Sequence, residues 1–105
     1  MKMIRAIIRP NREAEIIESL EKAGFISLTK MDVFGRGKQG GVSVGDMHYD
    51  ELPKIMLMLV VENDKAKDAC EIIQSCARTG KPGDGKIFIT PVEESYTVRT
   101  GELGL

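Results

Sequence analysis

Residues 79–86 contain the side chains whose types and spacing most clearly suggest chemistry. This eight-residue segment holds three glycines, two lysines and one aspartate, and it runs directly into the apolar stretch 87–89. Glycines allow positive φ angles and bring backbone amides close to a ligand, and lysines supply point charges that suit phosphate. Amides turned inward in such a loop form an anion-binding concavity. The segment therefore predicts a polyphosphate-binding loop, although a plain glycine-rich turn also fits. The Walker A spacing is absent, because Ile87 follows Lys86.

The two cysteines and the single histidine suggest no second reactive cluster. Cys70 and Cys76 lie six residues apart in one predicted helix, where about 100° per residue places them on different faces, so they cannot bridge each other. Cys76 is interpreted as a small core residue and Cys70 as a residue on the side of the helix. No zinc-ligand spacing occurs, and His48 is expected at the surface of a loop.

The overall composition is that of one ordinary globular domain. The chain has 105 residues, of which 42% are hydrophobic and 30% charged, with a net charge of −1. The acidic pI of about 5.8 argues against nucleic acid or an anionic membrane as a partner. No apolar run approaches the roughly 18–20 residues needed to span a bilayer, and the first residues enter a strand pattern without a signal peptide. A cytoplasmic protein is expected.

Hydrophobic periodicity predicts the element order β-α-β-β-α-β. The predicted strands cover residues 3–8, 27–34, 54–61 and 87–90, and residues 98–100 form a short extra strand or an ordered tail. Asn11 is predicted to cap the first helix, and Asn63 or Asp64 the second. Residues 35–50 contain five glycines and show no helix or strand periodicity, so a functional loop is expected there.

This order predicts an α+β fold, the ferredoxin-like βαββαβ sandwich. A four-stranded antiparallel sheet would carry both helices on one face, with a long loop between the second and third strands. Residues 54–61 are almost continuously apolar, which is typical of a strand buried on both faces. The sheet face without helices is therefore expected to be apolar, and a symmetric homo-oligomer is the simplest way to cover it.

Four features of the chain coincide: the βαββαβ order, the glycine-rich stretch after the second strand, residues 52–54, and the segment 79–88. Together they resemble the PII signal-transduction family over essentially the whole chain, and segment 79–88 resembles the C-terminal signature of that family. Residues 35–39 resemble the base of the family's T-loop. Within the family, residues 30–39 and 49–54 are most similar to the first member of the PII-like proteins encoded in nitrogen-fixation clusters, the NifI group.

The resemblance implies a trimer that binds ATP or ADP in clefts between subunits, and 2-oxoglutarate alongside Mg-ATP. By the family pattern, Gln39 would reach the Mg²⁺ and the 2-oxo acid, and Lys54 would pair with the distal carboxylate of the acid. Arg99 would come from the neighbouring subunit, and Thr97 stands where a second arginine is usual. The other implied nucleotide-binding residues are Thr29, Gly35, Gly37, Lys38, Val60, Thr79, Gly83, Asp84, Gly85 and Lys86.

The resemblance implies a regulatory binding protein controlled by ligands. Its flexible T-loop, about residues 36–52, would contact the target, and residues 79–86 and 96–105 would form the nucleotide-binding loop and the C-terminal strand or tail. For a NifI-like protein the implied target is dinitrogenase, inhibited when fixed nitrogen is plentiful and relieved by 2-oxoglutarate with ATP. A second NifI-type subunit is also implied. The target-binding residues are expected to be Val42, Ser43, Val44, Asp46, Met47, His48 and Tyr49.

Other functions stay open at this point. The chain could regulate a different target, such as an ammonium transporter or a nitrogen-assimilation enzyme, or form a structural trimer without ligands. A phosphatase on the same fold is disfavoured, because no Ser/His/Asp or Cys/His pairing occurs. RNA-recognition modules share the element order, but they stack bases on aromatic side chains of the sheet, and only Phe88 lies inside a predicted strand here.

Overall fold

The computed structural model describes residues 1–38, 40–49 and 51–105, without the side chain of Tyr49. The strands and helices are β1 (Lys2–Ile8), α1 (Glu13–Lys22), β2 (Thr29–Gly35), β3 (Val42–Val44), β4 (Met47–Tyr49), β5 (Leu52–Val61), α2 (Ala66–Ala77) and β6 (Gly85–Pro91). Four strands form an antiparallel sheet in the order β2-β5-β1-β6, and β3 pairs with β4 alone. The predicted ferredoxin-like α+β fold is confirmed.

The core lies between the sheet and the two helices. Alternate residues of the central strands point into it, because side chains of a strand alternate between the two faces. The largest fully buried side chains are Ile4, Ile8, Ile16, Leu20, Leu57 and Ile73. Each such side chain contributes about 1.5–3 kcal/mol on burial, which holds both helices on this one face. Cys76, predicted as a core residue, is half-buried and packs against the edge of the core.

The sheet face opposite the helices is uncovered and rich in methionine. Met3 and Ile7 of β1 and Met56 and Met58 of β5 alternate with the core residues and are half-buried, and Met31 of β2 pairs with Met56. We call this surface the open face. The prediction that residues 54–61 are buried on both faces is wrong for the single chain, because helices cover only one side.

Both helices begin differently from the prediction. Each is preceded by a 3-10 turn, Pro10–Arg12 or Asn63–Lys65, and neither N-cap residue of the α-helices makes a side-chain capping bond. Asn11, Asn63 and Asp64 therefore do not cap the helices. A 3-10 turn leads the chain into each helix instead, and such turns are frequent at helix ends. In the first of them, the Arg12 amide donates to the Arg9 carbonyl at 3.0 Å.

The glycine-rich stretch contains a hairpin that the periodicity did not predict. Val42 lies opposite Tyr49, Ser43 opposite His48 and Val44 opposite Met47. Gly45, at φ +60°, opens the two-residue turn, which suits hairpin turns that place glycine first. Three-residue strands are too short for an alternating pattern to stand out from a loop, and for this reason the sequence did not reveal them.

Residues 92–105 form an ordered tail at the end of the sheet where β6 finishes. The Val92 amide donates to the Met1 carbonyl at 3.0 Å, and the Thr97 amide donates to the Glu102 carbonyl at 2.9 Å. Residues 98–100 form an exposed turn rather than a strand, and Val98 is fully exposed. Of the two outcomes predicted for this stretch, the structure has the ordered tail.

Candidate functional site

The loop of residues 78–84, between α2 and β6, lies against the end of β1. Gly85 pairs with Ile8, and a Cβ added to Gly85 would lie 1.8 Å from the carbonyl oxygen of Ile7. Gly85 also has φ +113°, a region that side-chain-bearing residues rarely adopt. The sheet therefore requires glycine at this position independently of any ligand.

The carboxylate of Asp84 closes this loop onto its own beginning. It accepts hydrogen bonds from the amides of Thr79 (2.8 Å) and Gly80 (2.9 Å) and from the Thr79 hydroxyl. The Thr79 side-chain and backbone hydrogen bonds are the main cause that holds the pKa of Asp84 far below its usual value. The carboxylate of Asp84 thus organises the loop by binding the Thr79 amide, the Gly80 amide and the Thr79 hydroxyl.

Arg9 is the main residue of this site that the sequence analysis missed. Its Nη2 donates to the carbonyl oxygen of Pro82 at 2.7 Å, and its Nε lies 3.4 Å from Asp84 Oδ1. A Cβ added to Gly83 would lie 3.1 Å from Arg9 Nη2, so the guanidinium packs directly under the loop. A signal existed in the sequence, since Arg9 directly follows a central strand whose neighbour begins at the end of the glycine-rich segment.

Lys54 reaches the same loop from β5. Its Nζ donates to the carbonyl oxygen of Gly83 at 2.6 Å, and Gly35 lies beside its aliphatic stem. Burial, and next the positive charge of Arg9, lower the pKa of Lys54, while Asp84 acts in the opposite direction. Two cations and one carboxylate therefore meet at this end of the sheet, which leaves an excess of positive charge suited to an anion.

The structure divides the predicted nucleotide-binding residues between two ends of the sheet. The first group lies at the end of the sheet that carries Lys54 and consists of Gly35, Thr79, Gly83, Asp84, Gly85 and Lys86. Thr29 pairs with Met58 on β5, four residues from Lys54, and Val60 lies six residues away. At about 3.3 Å per residue, these distances are about 13 and 20 Å. Within one chain, Thr29 and Val60 therefore lie far from the loop of residues 78–84.

Arg99 belongs to the tail at the second end. Pro91, the last residue of β6, pairs with Lys2, which in turn pairs with Val61 on β5. Leu105, at the end of the same tail, borders a cleft of about 600 Å³ together with Val60. Thr29, Val60 and the tail thus lie on one side of the molecule, and the loop with its two cations lies on the other.

The predicted T-loop residues occupy the hairpin and its base. Gly37 and Lys38 are exposed after β2, while Gln39 lies outside the described residues. On one face of the hairpin, Ser43 Oγ is 2.9 Å from His48 Nδ1, and His48 Nε2 is 3.2 Å from the Gly40 carbonyl. The exposed apolar side chains of the other face are Val42 (41%), Val44 (62%) and Met47 (59%). Asp46 lies in the turn between the two strands.

The described part of the chain contains neither a cluster of metal-ligating side chains nor a helix that could cross a membrane. No group of three or more His, Cys, Asp or Glu side chains there could hold a metal ion. Gln39, the predicted Mg²⁺ ligand, lies outside the described residues. No helix in residues 1–38, 40–49 and 51–105 is long and apolar enough to cross a membrane.

Comparison with known proteins defines the class. The family model described as "Nitrogen regulatory protein P-II" matches residues 1–102, so the chain belongs to the P-II family. It is 62% identical to "Nitrogen fixation nifHD1 region GlnB-like protein 1" of Methanosarcina barkeri. It is 56% and 57% identical to the nifHD region GlnB-like proteins 1 of Methanococcus maripaludis and Methanobacterium ivanovii. All three alignments cover 100% of both chains. The predicted resemblance to the first member of the nitrogen-fixation group is confirmed.

Proposed function

We propose that this chain is a ligand-sensing regulator of nitrogen fixation that binds ATP or ADP and 2-oxoglutarate and acts on nitrogenase through its T-loop. The observation that carries the proposal is the convergence of Arg9 and Lys54 on the carbonyls of Pro82 and Gly83. It creates a positively charged, glycine-lined site at the position where the family pattern expects the phosphates and the acid.

The chemistry of the two ligands suits these residues. A triphosphate needs several donors, and each charge-assisted hydrogen bond is worth roughly 1.5–3 kcal/mol; backbone amides of residues 83–86 and the Lys86 ammonium would supply them. A 2-oxo acid offers a carboxylate and a keto oxygen, the hard oxygen ligands that Mg²⁺ prefers. Its distal carboxylate would then pair with Lys54, and Gln39 would complete the site around the metal.

A complete nucleotide site would need a second copy of the chain. The separation of about 13–20 Å between Lys54 and the pair Thr29 and Val60 supports an arrangement in which a neighbour supplies these two residues together with Arg99. The apolar open face supports a trimer that buries it. The trimer is either a homotrimer or a mixed one that contains a second NifI-type subunit. A nucleotide in such a cleft would be bound by both subunits.

The proposal makes the chain a regulator rather than an enzyme and places it in the cytoplasm. The curated relatives are named for the nitrogen-fixation region, and this supports dinitrogenase as the target. A regulator of an ammonium transporter or a nitrogen-assimilation enzyme would use the same ligand site with another partner. A structural trimer without ligands would bind none of the effectors.

Isothermal titration calorimetry tests the ligand part of the proposal. We expect 2-oxoglutarate to bind the purified protein only when Mg-ATP is present, because the acid and the phosphates share one metal. Lys54→Ala should abolish acid binding, since it removes the cation for the distal carboxylate. Lys67→Ala, an exposed lysine on α2, is the matched control and should bind normally. Absence of binding by either ligand to the wild-type protein would contradict the proposal and favour the structural trimer.

A further inference from the structure

Two successive peptide groups of the loop are each held at the carbonyl by a cation. The carbonyl of Pro82 accepts from Arg9 at 2.7 Å, and the carbonyl of Gly83 accepts from Lys54 at 2.6 Å. The described residues contain no cis peptide bonds, and in a trans peptide the C=O and N–H groups point in opposite directions. The N–H groups of Gly83 and Asp84 therefore point away from the two cations.

Successive N–H groups around a residue with positive φ form the anion-binding concavity known from phosphate sites, and Gly83 has φ +96°. The cations lie behind it and act on the carbonyl ends of the same peptide groups. Asp84 adds a third restraint, because its carboxylate binds the amides of Thr79 and Gly80 and also contacts Arg9 Nε at 3.4 Å. Among the described residues, Arg9 is thus the side chain that hydrogen-bonds to both the Pro82 carbonyl and the Asp84 carboxylate.

We propose that Arg9 is a positioning residue that orients the amides of Gly83 and Asp84 toward the phosphates before any ligand binds. This inference rests on the proposed nucleotide function and adds to it the residue that prepares the loop. Preorganisation of this kind raises affinity because the loop has less freedom to lose on binding. The arginine fork suits this role better than a lysine, because a lysine at the same position is a single point charge and cannot bridge the two acceptors in the same way.

The role of Arg9 can be separated from that of Lys54. Lys54 is the expected partner of the 2-oxo acid, so its substitution affects acid binding directly. Arg9 acts through the loop and should influence ATP binding even in the absence of the acid. A residue that only contacted the acid would leave the affinity for ATP alone unchanged.

The test compares Arg9→Met and Arg9→Lys with the wild-type protein, using Mg-ATP without 2-oxoglutarate in calorimetry. We expect Arg9→Met to weaken ATP binding about tenfold or more, the change that corresponds to one lost charge-assisted hydrogen bond, and Arg9→Lys to weaken it less. Hydrogen exchange of the ligand-free proteins is the second readout. The amides of Thr79 and Gly80 should exchange faster in both variants, because Asp84 loses its contact with Arg9.

Lys67→Met is the matched control. Lys67 is exposed on α2 and lies outside the loop, so the variant removes an equal charge and should leave ATP affinity and exchange unchanged. The inference is overturned if both Arg9 variants bind ATP within about twofold of wild type and exchange like it. If Arg9→Met does not fold, Arg9→Lys decides. If the wild-type protein binds neither ATP nor ADP, the proposed function fails, and the exchange data alone decide whether Arg9 holds the loop.

Discussion

Asp84 and Gly85 each have a structural role in the chain in addition to the ligand-binding role that the family pattern implies. The family pattern implies that both contact the nucleotide, yet in the chain itself the Asp84 carboxylate binds Thr79 and Gly80, and Gly85 permits the close approach of β6 to Ile7. An acidic side chain does not donate to phosphate, so its contribution to a phosphate site is best explained through the loop that it closes. Residue type alone does not distinguish these two roles.

We predict that Asp84→Asn destabilises the protein at neutral pH. An asparagine side chain loses the charge and one of the acceptor oxygens that bind the Thr79 and Gly80 amides. Because the folded-state pKa of Asp84 is lowered, its stabilising effect is present above the ordinary carboxyl pKa of about 3.9 and disappears as the pH falls below it. The difference in Tm between wild type and variant should therefore stay constant from about pH 8 to 5 and shrink below about pH 4.

Thermal unfolding followed by circular dichroism across this pH range measures the effect. Asp64→Asn, an exposed aspartate outside the loop, should change the Tm little at any pH. Equal Tm values for wild type and Asp84→Asn at pH 7, or a difference that grows on acidification, would contradict the role of Asp84 described above.

The two faces of the β3–β4 hairpin differ in chemistry. One face carries the hydrogen bonds of Ser43 and His48, whereas Val42, Val44 and Met47 lie exposed on the other. Within the part of the chain that the structure describes, the hairpin pairs with no strand of the main sheet, and few buried contacts mean that an element opens and changes conformation at low cost. Ligands bound at the base of the loop would therefore shift the hairpin from one conformation to another when they bind one conformation more tightly by several kcal/mol.

We predict that Val44→Asp and Met47→Asp abolish capture of purified dinitrogenase and leave ATP affinity unchanged. A charge on the apolar face would have to be desolvated at the contact, which is costly, whereas the proposed nucleotide site lies at the base of the loop. A pull-down with calorimetry on the same samples measures both quantities. Ile26→Asp is the control, because Ile26 is 72% exposed outside the hairpin. Retained capture by both hairpin variants would show that the apolar face is not the contact.

At the scale of the whole molecule, the open face and the divided site lead to the same assembly. Half of the sheet surface is uncovered and carries Met3, Met31, Met56 and Met58, and large exposed apolar patches usually mark interfaces. The residues expected to bind one nucleotide lie at both ends of the sheet, so an assembly that brings opposite ends together would complete the site and bury the patch at once.

We predict that Met56→Asp converts a trimer into monomers. The cross-strand neighbours of Met56 are Ile7 and Met31, so the new carboxylate would be buried in the interface against apolar side chains, at a cost of several kcal/mol. Size-exclusion chromatography with light scattering measures the mass directly, and Lys67→Asp on the exposed side of α2 should remain trimeric. A wild-type protein that is monomeric at all concentrations would refute the assembly, and a trimeric Met56→Asp variant would exclude Met56 from its interface.

The sequence by itself determined the order of elements, the helix-covered sheet and the place of the glycine-rich loop. These depend on local periodicity and on glycine, which act within a few residues of each other along the chain. The helix starts and the hairpin were predicted less well. Asn11 lies within a 3-10 turn instead of capping α1, and strands of three residues are too short to show a hydrophobic periodicity. Only the tertiary structure placed Arg9 beside Pro82 and Asp84, 73 and 75 residues away, and separated Thr29 and Val60 from Lys54. Contacts of this kind are decided by strand pairing and core packing, and no local pattern in the chain encodes them.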